Sequence, residues 1–224
     1  NWAATLIRVL EQGYAVAAPA VENGNPGSAV SWANFQLCFL EWFRPAAGGV
    51  IRRGPGHNSA YQRELLLAVE GDLSQWLLSE AVLHDHLRAL GHRVFVDPQT
   101  ATCHVNISSR KAYFRHSFLG GRIYGAARAS NWGLSRKLLQ SLAFPLVPPL
   151  RFWRNCRILN SPQKRESIRF YPALPWVAAG LCCHAFGEAV GCLTGLGNSD
   201  ALYQLTESRR IDYVREEDKS LLLD

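Results

Sequence analysis

The stretch from Trp76 to Asn106 holds the side chains best suited to chemistry. It reads WLLSEAVLHDHLRALGHRVFVDPQTATCHVN, with Glu80 and His84 on one face of a predicted helix and His104 at the end of a predicted strand. A partly desolvated carboxylate has a raised pKa and can act as a general base near neutral pH. The carboxyl end of a strand is where α/β sheets bind ligands. These residues are therefore candidates for a base and a ligand-binding imidazole.

Each candidate also has a structural alternative. Glu80 could simply stabilise the N-terminus of its helix, and a single histidine is more often a structural residue than a ligand. His84 and His86 bracket Asp85, but residues two apart on a helix point in different directions, so this triplet is not a chelating cluster. Spacing alone leaves both roles open for Glu80 and His104.

Two other stretches could contact a substrate. GPGHNS, residues 54–59, lacks the pattern of a phosphate-binding loop, so its glycines are expected to let the backbone approach a bound group closely. A basic helix follows from residue 110 and could meet a diphosphate, although a solvated helix face is the alternative. Its cationic side chains include Arg110, Lys111, Arg115 and Arg122.

Composition limits the classes of protein. The chain has 224 residues, is 48% hydrophobic and carries a net charge of +6, which indicates a globular protein suited to phosphate ligands, nucleic acid or an anionic membrane. Its 6 Cys show no C-x-x-C spacing, which predicts reduced, buried thiols and a cytoplasmic setting. The chain has no Met and opens in helical period, so we expect it to be a piece of a longer protein.

The order of predicted elements is typical of an α/β fold with a mostly helical C-terminal part. A helix over residues 1–12 and a strand over 14–21 precede an aromatic helix, SAVSWANFQLCFLEWF. The helix beginning near Ser79 should bury Leu83, Leu87 and Leu90 and stop at Gly91. HRVFVD and TATCHVN are predicted as two short strands separated at Pro98.

Four segments, taken in order, resemble the acceptor-side half of family 2 glycosyltransferases with a GT-A fold. They are ENGNPGSAVSWANF, GPGHNSAYQRELLL, SEAVLHDHLRALGHRVFVDPQTATCHVN and FRHSFLGGRIYGAAR, and the likeness extends more loosely through FGEAVGCLTG. The resemblance implies a partial GT-A, Rossmann-like sheet within residues 1–130. It also implies a preceding nucleotide-sugar half ending in an Asp-x-Asp motif, which would fall before residue 1.

The resemblance implies inverting transfer from a nucleotide sugar to a saccharide or lipid-linked acceptor. Glu80 falls on the family's acidic motif as the base, and His104 on its metal ligand for Mn or Mg. The family's usual Asp is replaced by Ala81, so either Glu80 takes over as base or the chain is inactive. The implied acceptor-binding residues are Gly56, His57, Asn58 and His84, and the implied diphosphate-binding residues are Arg115 and Arg122.

The C-terminal third favours contact with a membrane surface and does not require nucleic acid. Uncharged stretches between Arg169 and Glu188 and from Leu138 to Leu150 alternate with the basic clusters RFWRNCR and QKRESIR. We expect residues 131–197 to form a helical extension at the inner face of the cell membrane, by peripheral or re-entrant contact, with plain helical packing as the alternative. Residues 198–224 are predicted to be a solvated charged tail. A non-catalytic membrane-associated scaffold is the alternative function.

Overall fold

The computed structural model describes residues 2–44, 46–161 and 168–219, and it confirms the predicted α/β class. Helices dominate, and one small sheet has the strands β1 (Val16–Asn23), β2 (Gly49–Ile51), β3 (Ala60–Tyr61) and β4 (Val94–His104). The α-helices are α1 (Trp2–Glu11), α2 (Ala29–Phe39), α3 (Arg63–Leu67), α4 (Leu73–Leu78), α5 (Glu80–Ala89), α6 (Arg110–Arg128), α7 (Leu134–Leu142), α8 (Val147–Leu159), α9 (Leu174–Thr194), α10 (Ser199–Ser208) and α11 (Glu216–Lys219).

The sheet is mixed and has the strand order β2-β4-β1-β3. Its outer strands pair antiparallel with their neighbours, β3 with β1 and β2 with β4. The central strands β1 and β4 run in the same direction, because the Ala15 N–H donates to the Arg93 carbonyl at one end and the Gly24 N–H donates to the His104 carbonyl at the other. The run from Val16 to Val21 is buried throughout, as expected for a central strand.

The prediction of two strands separated at Pro98 was wrong, since β4 is a single strand. Strand β2 pairs only with Val94–Val96, so Pro98 lies beyond the part of β4 that β2 covers, and its missing N–H costs no bond to that neighbour. The Pro98 ring instead packs against the backbone of Gly48, where an added Cβ would lie 2.7 Å from the ring.

The chain forms two compact units from interleaved segments. The first comprises Asn1–Glu22 and Glu41–Cys103, and the second comprises Asn23–Leu40 and His104–Asp224. The predicted functional boundaries at residues 130 and 197 stay a prediction, because compactness does not test which segment performs which function.

Helix α5 provides the core of the first unit. Leu83 and Leu87 are buried against Val16 and Val94 of the sheet, as predicted. Leu90 was predicted to be buried with them, but it is 62% exposed because it follows the last helical residue. The chain then turns at Gly91, whose φ of 89° is readily adopted by glycine, and this confirms the predicted stop.

In the second unit, α6 and α9 pack backbone against backbone. A Cβ on any of four glycines would lie closer than 3.0 Å to a main-chain carbonyl oxygen of the other helix, a distance that only hydrogen can tolerate. The four-residue spacing puts each pair on one helix face. These glycines are Gly121 and Gly125 of α6 and Gly187 and Gly191 of α9.

The polar groups of α9 are paired inside the second unit. Glu188 is 5% exposed and accepts from Arg151 at 2.7 Å and from Arg128 at 3.1 Å. Burial, together with the charges of Arg151 and His116, lowers the pKa of His184 to about 3, so its neutral ring accepts from Arg151 through Nδ1 at 3.0 Å. These contacts fasten α9 to α6 and α8.

By length and composition, Tyr171–Thr194 could cross a membrane, with a mean hydropathy of 1.4 over its most apolar window. Of that window, 44% is buried inside the protein, where α9 packs on α6. The expectation of membrane contact for this extension stays a prediction. Residues 163–167 of the predicted basic cluster QKRESIR lie outside the described residues.

The segment expected to be a solvated tail is folded over residues 199–219. Helix α10 places Glu207 2.9 Å from Nε2 of the buried His116. Burial alone would raise the pKa of Glu207, but the hydrogen bond with His116 and the charge of Arg210 lower it to about 2. In α11, the buried Asp218 accepts from the Ser28 hydroxyl at 3.1 Å. Residues 220–224 lie outside the described part.

All six cysteines are free, as expected. The prediction that they are buried holds fully only for Cys192, since Cys38, Cys156 and Cys183 are half-buried, and it was wrong for Cys103 and Cys182, which are exposed.

We predict that Gly125→Ala lowers the free energy of unfolding by about 2 kcal/mol, because the added methyl group must separate two backbones. Gly120→Ala is the matched control in the same helix, where the new Cβ would meet only a Tyr203 ring atom at 3.4 Å. The control should be neutral or stabilising through helix propensity. Urea unfolding checks both variants, and equal stabilities would contradict the close helix packing.

Candidate functional site

The Gly-rich loop after β2 is anchored by His84. This residue of α5 has no exposed surface, and its Nδ1 accepts from the Gly54 N–H at 3.2 Å. Burial, together with the charge of Arg53, lowers the pKa of His84 to about 4, against the opposing charge of Asp85. The ring is therefore neutral at physiological pH, with its proton on Nε2.

The His84 proton is donated to a tyrosine. Nε2 lies 3.0 Å from the Tyr61 hydroxyl oxygen, and because Nδ1 is the acceptor, Nε2–H must be the donor. The hydroxyl proton of Tyr61 is then directed towards a further acceptor. His84 was predicted to contact an acceptor substrate, but the structure buries it and uses both of its ring nitrogens, so its role here is to position Tyr61 and the loop.

Glu80 lies against the same loop. It is the first residue of α5, and a Cβ on Gly56 would lie closer than 3.0 Å to all three atoms of its carboxyl group. Only glycine leaves room for the carboxylate in this position. Burial is the main reason that the pKa of Tyr61 is raised, and the negative charge of Glu80 raises it further. The predicted base and the predicted acceptor loop are thus in contact, beside Tyr61.

The other loop residues take up a tight turn. Asn58 is exposed and has a φ of 58°, a conformation that asparagine adopts more readily than most residues. The Ser59 hydroxyl donates to the Pro55 carbonyl across the turn. His57 lies between these positions and is half-buried. The predicted acceptor-binding positions Gly56, His57 and Asn58 are therefore neighbours on one turn.

Asp85 is the second acidic residue of α5, and it does not lie with Glu80 against the loop. It pairs with Arg53, whose Nε donates at 3.0 Å, and more weakly with the exposed Arg52. Although burial opposes the shift, these two arginines lower the pKa of Asp85. Asp85 therefore remains an anion that ties α5 to the segment before the loop.

His104 ends β4 in the second unit, with its ring centroid 4.3 Å from that of Phe39 and the two rings tilted by 49°. Its Nδ1 lies 3.1 Å from Oδ1 of Asn106. The Asn106 amide nitrogen donates elsewhere, to Asn23 and to the His104 carbonyl, so Oδ1 is the acceptor and Nδ1–H the donor. In the neutral ring the lone pair is then on Nε2, the arrangement typical of histidines that bind metal. The ring thus fits the predicted ligand role for Mn or Mg.

The described residues contain no group of three or more His, Cys, Asp or Glu side chains that could hold a metal ion. The metal role of His104 stays a prediction that requires further ligands.

Buried asparagines fix the backbone beside His104. The Asn25 amide donates to the Asn106 carbonyl at 2.8 Å, and the Asn106 N–H donates to Asn25 Oδ1 at 2.7 Å. The Ser31 hydroxyl lies 3.2 Å from the side-chain oxygens of both Asn23 and Asn25. Because these groups are excluded from water and bonded to each other, they hold the end of β1 at the end of β4.

The two predicted diphosphate ligands differ in their surroundings. Arg115 is exposed on α6. Arg122 donates from Nε to the Gly195 carbonyl at 3.0 Å, at the residue that ends α9. A guanidinium in this place satisfies a helix-terminal carbonyl and the negative end of the helix dipole, which gives Arg122 a structural task.

The structure brings together Glu80, Gly56 and His84, all in the first unit, while His104, Arg115 and Arg122 belong to the second. Sequence reasoning missed Tyr61 and the asparagine cluster. Tyr61 carries no motif, and its only signal was its position shortly after the Gly-rich loop. Asn23 and Asn25 were visible only as turn residues in ENGNPG, and Asn106 only as the last residue of the predicted strand TATCHVN.

Comparison of the chain with protein-family models, with curated proteins and with solved structures gives no match in any of the three. Function must therefore be argued from residue pattern and geometry.

We predict that His84 makes the protein less stable as the pH falls. An unfolded histidine titrates near pH 6.5 and folded His84 near pH 4, so its contribution is fully present above about pH 6.5 and is lost as the pH falls towards about 4. The total effect is on the order of 3 kcal/mol. His84→Gln should flatten the dependence of urea midpoints on pH. A constant difference between the two proteins at every pH would contradict the shift.

Proposed function

We propose that this chain forms the acceptor side of a family 2 glycosyltransferase with a GT-A fold, with Glu80 as the general base. The observation that carries the proposal is the contact between the Glu80 carboxyl group and Gly56. The resemblance implied a base at one position and an acceptor loop at the other, 24 residues apart in sequence. Their juxtaposition is what an acceptor hydroxyl needs, since a base must lie within hydrogen-bond reach of the proton it removes.

The reaction is inverting transfer. The acceptor oxygen attacks the anomeric carbon of the donor sugar while its proton passes to the Glu80 carboxylate. The bond from that carbon to the diphosphate breaks, and its electron pair leaves with the nucleoside diphosphate. A bound Mn or Mg ion would stabilise the charge that develops on the diphosphate. His104 is the residue of this chain proposed to hold the ion, through Nε2.

The first unit supplies further positioning groups. The neutral His84 ring donates to the Tyr61 hydroxyl, so the Tyr61 proton can be donated to a further acceptor. Gly56 has no side chain, which allows the Glu80 carboxyl group to lie against the backbone of the loop. Asn58 and His57 continue the loop and are proposed to contact the acceptor, a saccharide or a lipid-linked sugar. Arg115 is proposed to face the leaving diphosphate.

Ala81 gives the alternative function its specific support. The family's usual base is an Asp at this position, and an alanine cannot take a proton. If Glu80 does not replace that Asp, the chain is a non-catalytic scaffold that keeps the fold.

Glu80→Gln separates the two functions. With Glu80 as base, the substitution should lower kcat by about 10²- to 10⁴-fold, because the amide keeps the shape but cannot accept the proton. The assay is nucleoside diphosphate release from uridine, thymidine and guanosine diphosphate sugars, in the protein that carries this chain together with its donor-binding half. Glu64→Gln, on the exposed surface of α3, is the matched control. Equal rates for the two variants would eliminate Glu80 as base.

The metal role has its own test. His104→Ala should raise the Mn concentration needed for half-maximal activity by at least about tenfold, as expected when one ligand or its support is lost. His92→Ala, which alters a histidine outside the proposed site, is the control and should respond as the unmodified protein does. An unchanged Mn requirement in the His104 variant would reject the ligand role.

A further inference from the structure

Helices α7 and α8 turn their apolar side chains outwards. Seven large apolar side chains of these helices and the turn between them are 46% to 77% exposed. We name the six that follow Leu134 the leucine face: Leu138, Leu139, Leu142, Leu146, Leu150 and Trp153. Surface helices normally bury their apolar stripe. Here the buried residue of α7 is Ser141, whose hydroxyl donates to the Ala189 carbonyl of α9 at 3.2 Å.

The leucine face is continuous along the sequence of the two helices. Leu138 and Leu142 are one turn apart on α7, and Leu146 lies in the 3₁₀ turn that joins α7 to α8. Leu150 and Trp153 follow on one face of α8. In the part of the chain that the structure describes, no segment covers these side chains. An apolar surface of this extent on a folded protein indicates a partner.

The charges around the leucine face indicate what kind of partner it binds. Residues 129–161 contain five Lys and Arg and no Asp or Glu. Of these, Arg151 pairs with the buried Glu188, and the other four also lie on α7 and α8: Arg136, Lys137, Arg154 and Arg157. Arg154 and Arg157 lie on the same face of α8 as Leu150 and Trp153. The surface therefore combines apolar insertion with positive charge.

Tryptophan and arginine pair at both ends of this surface. The Arg136 guanidinium lies 4.2 Å from the Trp132 ring, and that of Arg157 lies 4.8 Å from the Trp153 ring. Trp with neighbouring Arg is typical of the level where lipid headgroups meet acyl chains, because the ring enters the apolar layer while the cation reaches phosphate. A second copy of the chain would bring the same positive charge against itself, which disfavours self-association.

We propose that the leucine face is a docking surface for the anionic surface of a lipid bilayer, with α7 and α8 lying in the interface plane. This inference goes beyond the proposed sugar transfer and stands on separate residues. The proposed contact surface is separate from α9, whose glycines and ion pairs are used in packing on α6 and α8.

The test is co-sedimentation of the 224-residue chain with vesicles of phosphatidylcholine alone or with about one-third phosphatidylserine. Binding should require the anionic lipid and weaken at least about tenfold when the salt is raised to about 0.5 M. The double variant Leu142→Gln with Leu146→Gln should bind at least about tenfold less at low salt. Its thermal unfolding should be unchanged, because both side chains are exposed.

Matched controls carry the same changes elsewhere. Leu67→Gln with Leu90→Gln alters two leucines that are 60% and 62% exposed in the first unit, and this variant should bind normally. The contribution of charge is tested by the double variant Arg154→Gln with Arg157→Gln, which should weaken binding to anionic vesicles about tenfold. The control is Arg63→Gln with Arg88→Gln, which should leave the binding unchanged.

Three results would overturn the proposal. The first is that the protein does not sediment with anionic vesicles at low salt, and the second is that the leucine-face variants and the control variants bind equally well. The third is that the protein does not bind vesicles but forms a dimer that the Leu142 and Leu146 changes abolish. The last would identify a second copy as the occupant.

Discussion

A buried imidazole has two ring nitrogens, and when water is excluded each of them needs a hydrogen-bond partner. His84 meets this requirement with the Gly54 N–H on one side and the Tyr61 hydroxyl on the other. The two bonds tie the Gly-rich loop and β3 to α5. Glu80 lies one turn before His84 and Gly56 two residues after Gly54, so the same two bonds bring carboxylate and loop together. The candidate site thus depends on a histidine that itself cannot reach a substrate.

The second unit depends on a different constraint, the close approach of α6 and α9. Four glycines remove the side chains that would hold these helices apart, and the main chains make the contact. The apolar length of α9 is used in this packing, and its His184 and Glu188 are paired with arginines. Helix α7 then contacts α9 through Ser141, and its leucines lie on the outside. The apolar residues of this region therefore have two different places: those of α9 are used in helix packing, and those of the leucine face are exposed.

The proposed chemistry needs a base, a site for the acceptor and a stabilised leaving group. The first unit is proposed to supply the first two, because Gly56 allows the Glu80 carboxyl group to contact the loop, a contact that any larger residue would prevent. His104 has the tautomer that would allow a metal to be bound through Nε2, supported by Asn106. Under the proposed family assignment, Ala81 stands where an Asp is usual, so the proposed catalysis depends on Glu80 alone.

The sequence by itself determined the α/β class, the buried stripe of Leu83 and Leu87 and the stop at Gly91, because periodicity and glycine conformations act over a few residues. It missed the continuity of β4 through Pro98, since the tolerance of a proline depends on where a neighbouring strand ends. It also placed the residues after 198 in solvent, because charged side chains such as Glu207 look exposed until a distant partner, here His116, is known. Only the tertiary structure decided that His84 is buried, that Tyr61 joins Glu80, and that the leucines of α7 face outwards. Those outcomes depend on contacts between residues far apart in the chain, which local patterns do not encode.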